Sequence, residues 1–256
     1  MAGQSLRGRL QPVRTRGATR KALKLVRLLR VRRWADGLRH GVAASIEHDA
    51  LDFMHDFRVI LDVGANVGQF ALFSLERFPR ATLTCFEPQA NAKRKLDSLI
   101  AGVPRARALQ VAIGDSMGHV PMHVSAAPDS SSLRRMTNAQ STIFPDTQEA
   151  GIELVNLVPL DMVEQLRPLE RPALLKVDTQ GYELEVLRGA EGILEEVDEI
   201  VLEGSFVELY AGQALADDLV CHLRKRSWRL HGLHSLSRDS SGRCIQADLH
   251  FVRAEA

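Results

Sequence analysis

The stretch VILDVGANVGQ, residues 59–69, decides the fold of this chain. Its apolar beginning predicts a buried β-strand, its glycines predict a tight turn, and its end predicts the start of a helix. Such a turn lets a ligand approach the backbone, and the helix start offers unpaired N–H groups. The stretch therefore predicts a ligand site of the nucleotide type at the end of a strand.

The spacing of the glycines separates two kinds of nucleotide site. A dinucleotide fingerprint needs G-x-G-x-x-G, but Asn66 and Gln69 replace two of its glycines. The pattern acid-x-Gly-x-Gly-x-Gly, used by methyltransferases that bind S-adenosylmethionine (SAM), fits from Asp62 with one change, because Asn tolerates a positive φ. We expect Asp62 to accept hydrogen bonds from the amino end of SAM, directly or through water. The expected cofactor contacts in this stretch are Asp62, Gly64, Ala65, Asn66, Gly68 and Gln69.

Two further strand ends carry candidate cofactor contacts. Glu87, followed by Pro88, comes after an apolar run where a carboxylate can accept hydrogen bonds from two ribose hydroxyls. The alternative role for Glu87 is to cap the next helix. Ile113 ends a predicted third strand over residues 106–113, and Asp115 is placed to reach the adenine amino group, although Gly-Asp is also a common turn pair.

A second polar motif follows the apolar strand at residues 173–177. We expect Asp178 to orient the methionine end of SAM, to bind a metal or to act as a base, and Glu203 is the second catalytic candidate. Lys176, Gln180 and Glu183 are candidate substrate contacts. Their alternatives are structural: Lys176 can form an ion pair, and Glu183 can cap its helix. Ser131 and Ser132, in a predicted loop over residues 126–150, are further candidates for acceptor contacts, against the plainer interpretation of a solvated loop.

The body of the chain alternates strands and helices and closes with two strands at 228–233 and 247–252. This predicts the α/β class, with a mixed seven-stranded sheet of Rossmann-like type, helices on both faces and a C-terminal antiparallel hairpin. One helix is predicted over residues 183–194. We divide the chain into a basic extension, residues 1–50, and a catalytic domain, residues 51–256.

The extension is strongly basic, with twelve Lys or Arg and one acid in residues 1–40. We expect disorder over residues 1–20 and an amphipathic helix over 18–38. That helix either packs on the body as a solvated element, or it makes peripheral membrane contact through residues 18–40, as basic amphipathic helices do with anionic lipid or another polyanion.

The three cysteines are far apart and form no CxxC pair. Because there is no long apolar run and no signal peptide, we expect a cytoplasmic protein, with membrane association left open.

Four sequence motifs make the chain resemble a known family. DVGANVG at 62–68, FEP at 86–88, AIGD at 112–115 and the block at 176–190, in that order, resemble the FkbM family of SAM-dependent methyltransferases. The resemblance covers roughly residues 55–253 and implies a class I methyltransferase fold, SAM as cofactor, and transfer to a hydroxyl of a sugar or secondary metabolite. Many members carry Val-Glu where this chain has Thr179 and Gln180, so a metal role that needs both acids does not carry over.

The expected reaction is an in-line methyl transfer to a hydroxyl of a small-molecule, glycan or lipid acceptor. Methyl transfer is faster when a base removes the hydroxyl proton. Among the candidate bases, Asp178 ranks ahead of Glu203, His231 and His234. The main alternative is a catalytically inactive protein of this fold that binds membrane or polyanion through its basic N-terminus. An NAD-dependent oxidoreductase is disfavoured by the missing glycines, and few aromatics in an acidic body disfavour a nucleic-acid partner. Metal dependence and oligomeric state stay open.

Overall fold

The computed structural model describes residues 15–254 and, within them, the side chains of residues 22–127 and 129–254. Of the disorder predicted over residues 1–20, residues 1–14 lie outside this range. For residues 15–20 the prediction is wrong, because α1 begins at Thr15. The strands are β1 (Val59–Val63), β2 (Thr82–Phe86), β3 (Ala106–Leu109), β4 (Ala112–Ile113), β5 (Gly118–Ser125), β6 (Glu149–Val158), β7 (Ala173–Val177), β8 (Glu199–Ser205), β9 (Trp228–His234) and β10 (Gln246–Arg253). The helices are α1 (Thr15–Arg30), α2 (Arg32–Arg39), α3 (Gln69–Arg77), α4 (Ala90–Ile100), α5 (Asn138–Ile143), α6 (Glu183–Arg188), α7 (Glu191–Leu194) and α8 (Ala216–Arg224).

The main sheet has seven strands in the order β3-β2-β1-β7-β8-β10-β9. The first five of these run parallel, while β10 is antiparallel to both β8 and β9. The predicted mixed seven-stranded sheet with a C-terminal antiparallel hairpin is therefore confirmed. Because chain order reverses direction between β1 and β7, the ligand crevice of such a sheet is expected at the carboxyl ends of these two strands.

Side chains of β1 alternate between two cores. Leu61 and Val63 pack in one core with residues of α6, α7 and α8, whereas Ile60 packs in a second core with residues of α1 to α4. This alternation follows from the two-residue period of a strand. Helices on both faces of the sheet are thus confirmed.

The N-terminal segment packs on the second core. Its predicted single helix is divided at Val31, whose extended backbone redirects the chain. Trp34 then lies buried, and its Nε1 donates a hydrogen bond to the carbonyl of Leu72 at 3.0 Å. The division of the chain at residue 50 stays a prediction. Among the helices of residues 15–254, none has both the length and the apolar character needed to cross a membrane.

The predicted third strand is wrong in its second half. Only Ala106–Leu109 pairs with β2, while Ala112 and Ile113 pair with β6 in a separate three-stranded sheet of order β4-β6-β5. The cause is packing, because Ala112 shares a small core with Met122, Val155 and Leu157 of that sheet.

Two other segments differ from the sequence prediction. The loop over 126–150 contains α5 and the start of β6. The helix over 183–194 breaks at Gly189, where an added Cβ would lie 1.7 Å from the carbonyl oxygen of Gly114. The second piece, α7, is capped by Asp161, whose carboxylate accepts hydrogen bonds from the amides of Gly192 and Ile193, each at 2.8 Å.

Candidate active site

A cavity of about 380 Å³ opens at the carboxyl ends of the parallel strands. One side, here called the strand-end half, comes from residues that directly follow strands or lie at their ends. The other side, the loop half, comes from the N-terminal segment and the 126–150 segment. The strand-end half includes Gly64, Ala65, Asn66, Gln69, Glu87, Pro88, Ile113, Lys176, Asp178, Gln180 and Glu203. The loop half includes Ser45, Glu47, His48, Ser130, Ser131, Gln140 and Phe144.

The turn after β1 has the backbone that its glycines predict. Gly64 has φ of 78°, and an added Cβ would lie 1.8 Å from the carbonyl oxygen of Asp178, so only glycine fits there. Asn66 has φ of 47°, which confirms the expectation that Asn holds a left-handed position in this turn. Asn66 lines the cavity, and its side-chain Oδ1 is a buried acceptor that has no donor among the described residues. Gly68 starts α3 but packs against Leu96 rather than lining the cavity.

Glu87 joins the turn after β1 to the end of β2. Its Oε2 accepts a hydrogen bond from the Asn66 amide and its Oε1 accepts one from the Gln89 amide, each at 2.8 Å. Burial raises the pKa of Glu87 to about 7, although these two amide bonds lower it. An ionised carboxylate has about four acceptor positions, so each oxygen of Glu87 keeps one for a ligand hydroxyl. The predicted capping role and the predicted ligand role are thus compatible.

Asp62 lies beneath the cavity. It is fully buried, and its Oδ1 lies 3.2 Å from Nζ of Lys176, its partner in register on β7. Lys176 Nζ also donates to the Gly64 carbonyl at 3.3 Å and lies 3.6 Å from the Asp178 carboxylate. Burial alone would lower the pKa of Lys176, but the charges of Asp62 and Asp178 outweigh it and raise that pKa, so the ammonium persists. Of these residues Lys176 and Asp178 line the cavity, whereas Asp62 supports them from below.

Gln180 connects the two catalytic candidates. Its Nε2 donates hydrogen bonds to Asp178 Oδ1 and to Glu203 Oε2, both at 2.8 Å, and its Oε1 accepts one from the Tyr210 hydroxyl at 2.8 Å. Gln246 also donates to Glu203. Burial and the neighbouring carboxylates of Asp178, Glu183 and Asp248 raise the pKa of Glu203 well above its usual range. Asp178 keeps 38% of its side chain exposed, so it is the accessible carboxylate of the pair.

The 126–150 segment contributes polar groups to the loop half. The Oγ of Ser131 accepts a hydrogen bond from the Ser125 amide at 3.0 Å, which orients its hydroxyl at the cavity wall. Gln140 is 3% exposed, and its Oε1 has no hydrogen-bond partner in the described residues. Ser132 does not line the cavity, because its hydroxyl donates to the Gln180 carbonyl at 2.6 Å.

His48 is a cavity residue that the sequence analysis missed. Its Nδ1 lies 3.0 Å from the Ser45 carbonyl, and its ring lies edge-on to Phe70 with centroids 5.0 Å apart. Since a carbonyl only accepts, Nδ1 carries a proton, and in the neutral ring Nε2 is then the acceptor. No motif marks His48 in the sequence, because it lies in the segment assigned to the extension.

Four other expected site residues lie outside the cavity wall. Asp115 is exposed, in the loop after β4. Glu183 is buried, and its Oε1 accepts hydrogen bonds from the Thr179 and Gly181 amides at 3.0 and 3.1 Å, which is the capping alternative. His231 and His234 are on β9, away from the lining. Within residues 15–254, no cluster of three or more His, Cys, Asp or Glu is arranged to hold a metal ion.

A profile of the family described as "Methyltransferase FkbM domain" matches residues 62–230, which include the turn after β1, Glu87 and the Asp178–Gln180–Glu203 network. The chain belongs to the FkbM methyltransferase family. The family profile begins to match at residue 62. The cavity residues Ser45, Glu47 and His48 of this FkbM methyltransferase therefore lie outside the matched stretch.

Three relatives are similar to parts of this FkbM methyltransferase, and two of them are named methyltransferases. The chain is 31% identical over 193 residues to the 2-O-methyltransferase NoeI of Sinorhizobium fredii, covering 72% of this chain and 79% of NoeI. It is 29% identical to the AMB antimetabolite synthetase AmbE of Pseudomonas aeruginosa, over 57% of this chain and 8% of AmbE. It is 30% identical to the methyltransferase sdnD of Sordaria araneosa, over 52% of this chain and 60% of sdnD. Among solved structures, an rRNA methylase from Streptococcus thermophilus covers 82% of this chain and 96% of its own, at 12% identity and a TM-score of 0.45.

Proposed function

We propose that this chain is a SAM-dependent O-methyltransferase whose acceptor is a hydroxyl of a small molecule, glycan or lipid. The observation that carries the proposal is the pairing of Glu87 with the turn after β1. The carboxylate is fixed by two backbone amides, and its remaining acceptor positions suit a pair of vicinal hydroxyls such as those of a ribose.

The strand-end half fits SAM on two further observations. Asn66 Oδ1 is a buried acceptor for which the described part of the chain supplies no donor, and the ammonium or hydroxyl groups of SAM are donors. The first turn of α3 lies against the same cavity. The first intrahelical hydrogen bond there runs from the Leu72 amide to the Gly68 carbonyl, so the amides before Leu72 have no acceptor within the helix. When bound, SAM supplies a methyl group on a sulfonium centre, and these residues hold and orient it.

Asp178 is the proposed general base. It is the exposed member of the carboxylate pair. Gln180 donates a hydrogen bond to its Oδ1, and the Lys176 ammonium lies 3.6 Å from its Oδ2. In this role it accepts the proton of the acceptor hydroxyl as the oxygen attacks the methyl carbon. The pKa of Glu203 is raised well above its usual range by burial and by neighbouring carboxylates, and its two oxygens accept hydrogen bonds from Gln180 and Gln246. We therefore assign Glu203 to positioning Gln180. No step in this scheme needs a metal ion, and metal dependence is left to experiment.

The acceptor class is proposed from the loop half. Its groups are hydroxyl, amide and imidazole, which can recognise a polyhydroxylated molecule by hydrogen bonds. The 2-O-methyltransferase NoeI is the relative that supports transfer to oxygen.

Isothermal titration with SAM and with its demethylated product tests the cofactor, and transfer of labelled methyl from SAM to crude polysaccharide and lipid fractions tests the reaction. We expect both SAM and its demethylated product to bind. We also expect labelled methyl to enter one fraction in a form that resists alkali, because methyl ethers are stable to alkali. NADH is the matched negative ligand. Failure of both cofactor forms to bind would contradict the proposal, and binding without transfer to any fraction would favour the catalytically inactive alternative. The cytoplasmic location stays a prediction.

A further inference from the structure

Helix α1 (Thr15–Arg30) has an apolar face that no described part of the chain covers. Leu25, Val26 and Leu29 are 49%, 47% and 59% exposed, and Ala22 is exposed as well. These positions follow one another at intervals of three and four, so they form one stripe along the helix. Single exposed apolar residues are normal on a protein surface, but a continuous stripe of this kind marks an interaction surface.

The opposite face of α1 attaches the helix to the body. Leu28 is 3% exposed in the second core. Lys24 Nζ lies 2.7 Å from the Glu47 carboxylate, and Arg27 lies 2.5 Å from the Asp49 carboxylate. Positions 24, 27 and 28 share a face of the helix, so the stripe of Ala22, Leu25, Val26 and Leu29 is directed away from the body.

The charge around the stripe selects its partner. The sequence of α1 holds six Lys or Arg and no Asp or Glu. Lys24 and Arg27 pair with acids of the body, whereas positions 21 and 30 flank the stripe on the helix. Helix α2 adds Arg32, while its Arg33 and Arg39 lie near Glu76 and Asp36. Two copies of this helix packed stripe to stripe would bring like charges together, and a nucleic acid would leave the apolar side chains in water. An anionic bilayer matches both properties, because its interface takes up apolar side chains while its headgroups attract Lys and Arg.

We propose that α1 docks on an anionic lipid bilayer, with Leu25, Val26 and Leu29 at the boundary between headgroups and acyl chains. The docking is peripheral. The 3-10 turn at Ile46–Ala50, which holds α1 through Glu47 and Asp49, also carries His48 into the wall of the cavity. Docking therefore fixes the cavity close to the bilayer. The inference does not depend on the proposed function, since it concerns a surface outside the cavity.

Co-sedimentation with vesicles tests the proposal on the full chain. The vesicles are phosphatidylcholine alone and phosphatidylcholine mixed with phosphatidylglycerol. We expect binding to the mixed vesicles, weak binding to the neutral ones, and loss of binding as salt is raised. The variant Leu25→Gln/Val26→Gln/Leu29→Gln should weaken binding by about tenfold or more. It should keep the unfolding midpoint of the wild type, because the three side chains are exposed.

A matched control removes exposed apolar side chains elsewhere. Ile152, Leu154 and Met162 are 56%, 70% and 60% exposed, and their triple replacement by Gln should leave vesicle binding unchanged. Equal vesicle binding by the α1 variant and the wild type would overturn the proposal. Two further results would overturn it. One is that the wild type binds no vesicles and is a dimer that the α1 substitutions convert to a monomer. The other is that the wild type binds duplex RNA but no vesicles, and that the α1 variant still binds the RNA.

Fluorescence gives a second measurement of the same face. Leu29→Trp should show a blue-shifted emission on adding the mixed vesicles, because its side chain leaves water. Leu154→Trp should show none. A shift in the second variant and not in the first would place the contact on the wrong surface and overturn the proposal.

Discussion

In the strand-end half of the cavity, the turn after β1 is held by backbone hydrogen bonds to the neighbouring strand, whereas in the loop half the 126–150 segment is held in part by side chains from distant positions. In the first, the amides of Gly64 and Ala65 both donate to the Phe86 carbonyl at 3.1 Å. In the second, the Tyr210 hydroxyl lies 3.0 Å from the Ser130 carbonyl, 80 positions away. Backbone hydrogen bonds of the first kind do not depend on which side chains are present. Side-chain contacts of the second kind change when the sequence of a loop changes. We infer that the strand-end half binds the donor and the loop half selects the acceptor.

The largest expected effect comes from replacing the proposed base. Asp178→Asn keeps the shape and the contact with Gln180 but cannot take up a proton, so kcat should fall by roughly 10²- to 10⁴-fold. The affinity for SAM should change by only a few-fold. Glu203→Gln is the matched control, because Glu203 is assigned to positioning Gln180 and not to proton transfer, and it should cost less than about tenfold. High activity in Asp178→Asn with loss in Glu203→Gln would reverse the two assignments.

The second effect concerns the donor. Glu87→Ala removes an acceptor of two ribose hydroxyls, and hydrogen bonds to a charged group contribute about 1.5–3 kcal/mol each, so the Kd for SAM should rise by at least about tenfold. Asp115→Ala should leave that Kd unchanged, since Asp115 is exposed and outside the cavity wall. Titration calorimetry checks both. A loss of affinity in Asp115→Ala alone would restore the adenine contact expected from the sequence.

The third prediction adds an acid to the network. Gln180→Glu removes two N–H donors and places a third carboxylate between Asp178 and Glu203, so the free energy of unfolding should fall by about 1–3 kcal/mol at pH 8. The loss should be smaller at pH 6, where more carboxyl groups are protonated. Urea denaturation at both pH values measures it. The control is Gln165→Glu on the exposed surface, and a loss in Gln180→Glu that is equal at the two pH values would argue against charge repulsion as its cause.

A smaller effect is expected in the loop half. His48→Phe keeps the aromatic contact with Phe70 but removes the acceptor nitrogen, so kcat/KM for the acceptor should fall by roughly three- to tenfold with the Kd for SAM unchanged. His40→Phe is the matched control. His40 has the same type of bond, from Nδ1 to the Asp36 carbonyl at 2.9 Å, but it lies on the exposed end of α2. A change in SAM affinity with His48→Phe would indicate that His48 contacts SAM and not the methyl acceptor.

The two halves also differ in how well the sequence predicts them. The turn at Gly64–Gly68 is set by neighbouring residues, because a strand, a positive φ and a helix start each have local signals, and the structure has these three features as predicted. The ligand role of Glu87 stays a prediction. His48 and Gln140 reach the cavity only through tertiary packing, which no local pattern encodes. Asp62 shows the intermediate case, since its strand position is correct but its buried pairing with Lys176 depends on a strand far along the chain.

The smallest expected effect is a change in bound protons. Burial raises the pKa of Glu87 to about 7 in the folded protein, above its usual value of 4.5. Its stabilising contribution is therefore present below pH 4.5 and is lost as the pH rises through about 7. Ligand hydroxyls that donate to the carboxylate favour its charged form, so SAM affinity should decline as the pH falls through about 7. At pH 7 binding should release about half a proton from this group.

Calorimetry in buffers of different ionisation enthalpy measures that proton. Glu87→Gln should remove this component of the release. Glu183→Gln should retain it, because Glu183 has a pKa that burial likewise raises to about 7 but lies outside the cavity wall. The difference between these two variants isolates the contribution of the strand-end half from any proton that SAM itself gains or loses. Equal release by Glu87→Gln and the wild type would show that the donor does not reach Glu87, and it would move the boundary between the two halves of the cavity.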